Sequence, residues 1–88
     1  MLVVKKFTAT WCGPCRMLTP VLNEIKDQFY YNVKFEDIDI DSNPKIVEKY
    51  GVISVPTIVL EVNGKEVKRI TGVSSKMTYV NAINENLV

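Results

Sequence analysis

Histidine is absent from this sequence and cysteine occurs only twice. Without imidazole there is no Cys-His nucleophile pair, no His-ligated zinc and no imidazole base, so proton transfer must use Cys, Asp, Glu, Lys, Tyr or water. Long apolar runs are also missing. Nothing approaches the ~20 residues of a membrane span, and Met1-Leu2-Val3-Val4-Lys5-Lys6 turns polar too soon for a signal peptide. The expectation is a cytoplasmic chain with no membrane partner. Charge of one sign is lacking too: eleven basic and ten acidic residues give +1 and alternate along the chain, which argues against nucleic acid. Eighty-eight residues, 47% of them hydrophobic, suffice for one core and no more, so residues 1–88 are expected to form a single domain.

Both cysteines stand in Trp11-Cys12-Gly13-Pro14-Cys15. Their separation closes too small a loop for a strong entropic staple, because that stabilisation grows with loop length. A monomeric zinc site would lack two ligands. The context is a β-branched, apolar stretch before the motif and an amphipathic one after it, which places two thiols one helical turn apart with the first at a helix N-terminus. That is a setting for dithiol chemistry.

Leu2 to Ala9 has strand composition. From Cys15 to Tyr30, Leu18, Leu22, Ile25 and Phe29 recur at helical spacing, with Met17 and Val21 widening the stripe and Pro20 expected to kink the helix. Val33 to Asp41 alternates, Ile38 and Ile40 against Asp37, Asp39 and Asp41, which predicts a second strand. Ser42, Asn43 and Pro44 open a short helix that Gly51 stops. Thr57 to Val62 and Lys65 to Thr71 flank Asn63-Gly64, a strong hairpin signal. Ser74 and Ser75 can cap a last helix with Val80, Ile83 and Leu87 facing inward. The resulting β-α-β-α-β-β-α order is an α/β fold. Its four-stranded mixed sheet combines a parallel pair with a right-handed crossover and an antiparallel hairpin, with helices on both faces. Asp37-x-Asp39-x-Asp41 with Glu48 resembles a calcium loop only superficially: Ser42 replaces the needed glycine and Pro44 interrupts it, so a solvated strand face and helix cap are expected.

With Cys12-Gly13-Pro14-Cys15 after a strand, Val55-Pro56-Thr57 before a hairpin, Asn63-Gly64, and Gly72 before the last helix, the chain resembles thioredoxin over essentially all 88 residues. The resemblance implies a thioredoxin-like fold with the strands at 33–40, 2–8, 57–62 and 65–71 in that order. It also implies a minimal form without the family's usual first strand and helix. The strand at 33–40 is then an edge, guarded by Lys34, Glu36, Asp37 and Asp39. The activity implied is reduction of disulfides in protein substrates by dithiol exchange, with thioredoxin reductase as electron donor, no cofactor or metal, and a monomer. Cys12 is the expected nucleophile and Cys15 the resolving thiol. Trp11, Gly13, Pro14, Val55, Pro56, Gly72 and Val73 match the family's substrate-facing rim, Pro56 being cis beside the cysteines.

No cation stands between the cysteines to hold a thiolate, so the poise should be reducing. A glutathione-coupled, glutaredoxin-like reductant is the alternative, and the Gly-Pro pair argues against it. One departure concerns the buried carboxylate that thioredoxins usually carry where this chain has Lys6, with a lysine on the neighbouring strand where it has Asp37. The pair is inverted. Asp37, directly or through water, or a desolvated Lys6 is therefore expected to handle the proton of Cys15, the alternative being that Lys6 only extends to solvent at the end of the sheet. Thr8 stands where many thioredoxins have an aromatic.

Overall fold

The computed structural model describes Met1–Val88. The elements follow the expected order: β1 (Leu2–Thr8), α1 (Gly13–Gln28), β2 (Val33–Asp39), α2 (Pro44–Tyr50), β3 (Thr57–Val62), β4 (Lys65–Thr71) and α3 (Lys76–Asn86). The sheet runs β2-β1-β3-β4. β1 pairs in parallel with β2 and antiparallel with β3, and β3 and β4 form the hairpin.

Strand alternation sends the two faces of β1 to different cores. Leu2 and Val4 join Leu18, Leu22 and Ile25 of α1 and Tyr79, Val80, Ala82 and Ile83 of α3 in the larger cluster. Phe7 points the other way, to Ile38, Val59 and the α2 side chains Ile46, Val47 and Tyr50. Helices thus cover both faces, as expected. Burying each large aliphatic side chain contributes roughly 1.5–3 kcal/mol, so α1 and α3 are held mainly by the first cluster. β3, buried on both sides from Thr57 to Glu61, is the spine of the sheet.

Local chemistry explains where the elements stop. At the hairpin Asn63 and Gly64 both take positive φ, 52° and 79°, as a two-residue turn matched to strand twist requires. Val62 pairs with Lys65 across it, and Val67 is the extra residue of a bulge. Gly51 closes α2 with φ 62°, a left-handed cap.

Several expectations are corrected. α1 begins at Gly13, two residues before the apolar periodicity starts, because Cys12 caps it. β1 and β2 end at Thr8 and Asp39 rather than Ala9 and Asp41. Past Asp39 the side chains take over: Asp39 Oδ1 accepts from the Asp41 amide at 2.9 Å, and Asn43 Nδ2 donates to Asp39 O at 3.0 Å. Asn43 is the N-cap of α2 by position, but its side chain makes no cap bond. Pro20 lies inside α1, as the sequence suggests. Leu87 lies outside α3, and Tyr79 and Ala82 complete the inner face instead.

Candidate active site

The loop from β1 into α1 delivers the two sulfurs. Cys12 N–H donates to Ala9 O at 3.2 Å, which tightens the turn. Cys12 itself is extended, with φ −87° and ψ 107°, and its Sγ accepts the Cys15 amide hydrogen at 3.1 Å. A sulfur therefore fills the capping role usually taken by Ser, Thr, Asp or Asn. Cys12 and Cys15 are joined in a disulfide with Cα atoms 5.3 Å apart. Both are buried, Cys12 at 4% exposure and Cys15 at 1%, against Ala9 with Val55 and Ile40 at the edge. The sulfur at the N-terminus of α1, the end where a helix favours negative charge, is that of Cys12. Gly13 has open space where a side chain would stand, so the approach to the sulfurs is clear on that side.

A second loop closes over the pair. The Val55–Pro56 peptide is cis, and Val55 O stands 3.8 Å from Cys12 Sγ. Pro56 O accepts from Gly72 N–H at 2.8 Å, tying this loop to the one that follows β4. Pro56 itself is buried, so the exposed apolar surface comes from Trp11, at 64% exposure, from Val73 and from half-buried Val55. Sequence reasoning did not single out two further residues. Tyr79, buried in α3, holds the Gly72–Ser74 loop: its hydroxyl donates to Gly72 O at 3.3 Å and accepts from Ser74 N–H at 2.9 Å. Ile53, on the loop leading to Pro56, is 98% exposed. The available signal was an apolar side chain in a segment too short to bury it.

Beneath α1 lies the inverted pair. Lys6 and Asp37 are register partners on adjacent strands, as the sequence suggests. Lys6 is buried at 7% exposure, whereas Asp37 is exposed. Lys6 Nζ reaches not Asp37 but Thr19 Oγ1, 3.3 Å away, and Thr19 in turn donates to Cys15 O at 3.1 Å. A chain of two hydrogen bonds thus connects the amine to the backbone of the second cysteine. A cavity of about 80 Å³, bordered by Lys6, Asn23, Lys26, Glu36 and Asp37, opens below this point rather than beside the sulfurs.

The opposite face of β1 carries a separate charged cluster. Lys5 bridges Glu36 at 3.3 Å and Glu61 at 3.2 Å, and Tyr50 donates to Glu61 at 2.6 Å. Burial works against the Lys5 charge, but the Tyr50 side chain and the two carboxylates outweigh it and raise its pKa above the usual lysine value. The bond from Lys34, then Lys5, holds Glu36 below the ordinary carboxylate range despite partial burial. Desolvation and the neighbouring Glu61 push the Tyr50 phenol up. This cluster stabilises the sheet face beside α2 and has no contact with the sulfurs.

The sequence model of the thioredoxin family matches residues 1–85. The thioredoxin of Rickettsia bellii is 41% identical over 85 residues, spanning 97% of this chain and 81% of that protein. The thioredoxin of Chlamydia muridarum is 44% identical over 85 residues, covering 97% of this chain and 82% of the relative. Among solved structures, a thioredoxin from Nicotiana alata superposes with a TM-score of 0.92 at 37% identity, covering 99% of this chain and 74% of its own. These likenesses do not favour the glutathione-coupled alternative. The disulfide at the head of α1 is therefore the working part of a thiol-disulfide oxidoreductase, and the chain belongs to the thioredoxin family of enzymes that act on protein disulfides.

Proposed function

We propose that residues 1–88 form one domain that acts as a monomeric, cytoplasmic reductant, with Cys12 the attacking thiolate and Cys15 the resolving one. The observation that supports the roles of the two cysteines is the capping bond: Cys12 Sγ accepts the Cys15 amide hydrogen at the head of α1, and Cys15 lies one turn further in. In the first step Cys12 thiolate attacks one sulfur of a substrate disulfide. A bond forms between Cys12 and that sulfur, the substrate S–S bond breaks, and the departing thiolate takes a proton. In the second step Cys15 loses its proton and attacks Cys12 Sγ. The Cys12–Cys15 disulfide forms, the mixed disulfide breaks, and the substrate leaves with two electrons more than it brought.

Return to the dithiol requires two electrons, and thioredoxin reductase is the donor the family suggests. Trp11, Gly13, Pro14, Val55, Gly72 and Val73 form the surface on which a substrate strand lies, with Pro56 shaping it from below. The open space beside Gly13 and the exposure of Trp11 and Val73 support that reading.

Lys6 and Asp37 serve the second step. Lys6 stands two hydrogen bonds from Cys15 O, and the cavity beside it gives water a way in; Asp37, with Glu36 and Lys26, lines that cavity. Proton exchange between Cys15 and solvent passes along this side of α1. Insulin-disulfide reduction with NADPH and thioredoxin reductase, measured against pH, tests both parts. Turnover with this reductase but not with glutathione and its reductase supports the proposed partner. A shifted pH profile in Lys6→Met or Asp37→Asn supports the proton route, and unchanged profiles in both variants would remove it.

A further inference from the structure

The loop between β4 and α3 hangs on one phenol. Tyr79 is 2% exposed and belongs to the same core cluster as Leu18 and Ile25 of α1. Its hydroxyl turns out of that core and makes two bonds, donating to Gly72 O at 3.3 Å and accepting from Ser74 N–H at 2.9 Å. These bonds bracket Val73. That residue stands 52% exposed between them, and its own N–H and C=O have no partner within the chain. Gly72 N–H donates in turn to Pro56 O at 2.8 Å, so the hydroxyl is linked through a single residue to the loop that closes over the cysteines. Core packing alone does not call for a hydroxyl at position 79, since an aliphatic side chain would bury as well.

We infer that Tyr79 is a positioning residue for substrate binding, whose hydroxyl fixes the Gly72–Ser74 loop so that Val73 meets an extended peptide carrying the target disulfide. This rests on the reading of Val73 as part of the substrate-facing rim. A peptide that adds a strand needs a donor and an acceptor already in place, and a loop that must first be ordered takes that cost out of the binding energy. Gly72 and Ser74 are half-buried. Without the hydroxyl, water therefore satisfies the Gly72 carbonyl and the Ser74 amide, and the loop loosens while the ring still fills the core. The effect falls on binding more than on the exchange step, because Tyr79 touches the loop and not the sulfurs.

The test mixes pre-reduced protein with excess insulin in single turnovers and reads the limiting rate and the half-saturating insulin concentration. Tyr79→Phe keeps the buried ring and removes only the oxygen. It is expected to raise the half-saturating concentration about fivefold, equivalent to about 1 kcal/mol, and to lower the limiting rate less than about twofold. Amide hydrogen exchange on the oxidised protein without substrate supplies a second readout. Exchange at Ser74 is expected to accelerate about tenfold, and more than exchange in β3, because the change is a local opening.

Val73→Asp, which places a charge on the exposed apolar side of the loop, separates the two levels of the inference. If it leaves half-saturation unchanged, the rim reading itself fails. If Val73→Asp raises half-saturation but Tyr79→Phe does not, or if Tyr79→Phe lowers only the limiting rate, the rim reading stands and the role given to Tyr79 is overturned. Equal acceleration of exchange at Ser74 and throughout β3 in Tyr79→Phe also overturns it, because the hydroxyl would then support the whole fold and not the loop.

Discussion

Replacing Lys6 by methionine is expected to make the protein more stable. Lys6 is 7% exposed, and its Nζ has one protein partner, the Thr19 hydroxyl at 3.3 Å. A hydrogen bond from a charged amine contributes about 1.5–3 kcal/mol net, and one at the long end of the usual distance range sits at the lower limit of that. Taking an amine out of water without a counter-charge within bonding distance costs more than that, several kcal/mol for a fully dry site. The neighbouring cavity of about 80 Å³ lets water recover part of this loss. Methionine keeps an unbranched side chain at a site that Val4 and Leu22 also border, and removes the polar head. The balance is a gain of about 1–2 kcal/mol, or a rise in Tm of roughly 5–15 °C for a domain of this size. Urea unfolding of the oxidised protein at pH 7, with a thermal melt as a second probe, measures it. A loss of more than about 1 kcal/mol would refute the reasoning. It would mean that the amine holds α1 onto the sheet through Thr19 and is not kept at a cost in stability for chemistry.

The charged cluster beside α2 behaves in the opposite way. Lys5→Met leaves Glu61, whose side chain is 9% exposed, without its cation, and is expected to cost about 2 kcal/mol at pH 7, between the value of a surface pair and that of a buried one. Glu36 has a lowered pKa, held down first by Lys34 and then by Lys5, so the part of its stability that Lys5 supplies is present above the ordinary carboxylate value and is lost as pH falls through the folded one. Lys5 has a raised pKa, so its share is present below the ordinary lysine value and is lost only as pH rises through the folded one. The gap between wild type and variant in urea midpoints is therefore widest from weakly acidic to weakly alkaline pH and narrows toward pH 3; a gap independent of pH would contradict the ion-pair account. Ser75→Ala removes the oxygen that caps α3 through the Thr78 amide at 3.3 Å, and denaturant unfolding should show a loss of about 1 kcal/mol. Since Tyr79 of that helix holds the Gly72–Ser74 loop, the same variant should show a faster-exchanging Ser74 amide by hydrogen exchange.

Most of the fold was legible because its signals are local. Asn63-Gly64 requires positive φ whatever surrounds it, Gly51 and Pro44 punctuate α2, and alternation in β1 and β2 assigns their faces. Strand order came from the family resemblance. Errors fell where side chains compete with the backbone: a cysteine sulfur caps α1 earlier than the apolar stripe suggests, and Asp39 and Asn43 take the bonds that would have extended β2.

The site divided in the same manner. The cysteine pair was evident from five residues, and the pairing of Lys6 with Asp37 across the strands followed from aligned positions. The side chain that Lys6 selects was not evident. Thr19 sits thirteen residues away on another element, and only the docking of α1 over β1 brings its hydroxyl to the amine. Tyr79 escaped for a different reason: the loop it holds is only five to seven residues away, but helical spacing assigns its ring to the core and does not show its hydroxyl turning back to that loop.

The central claim, that Cys12 attacks and Cys15 resolves, is tested most directly by trapping. Reduced Cys15→Ser protein, incubated with an oxidised protein substrate and analysed by mass spectrometry after alkylation, is predicted to accumulate a mixed disulfide at Cys12. Reduced Cys12→Ser protein should form little or none, because Cys15 is the more buried residue and lies one turn further into α1. A stable adduct at Cys15 in the Cys12→Ser variant, with none at Cys12 in the Cys15→Ser variant, would contradict the account.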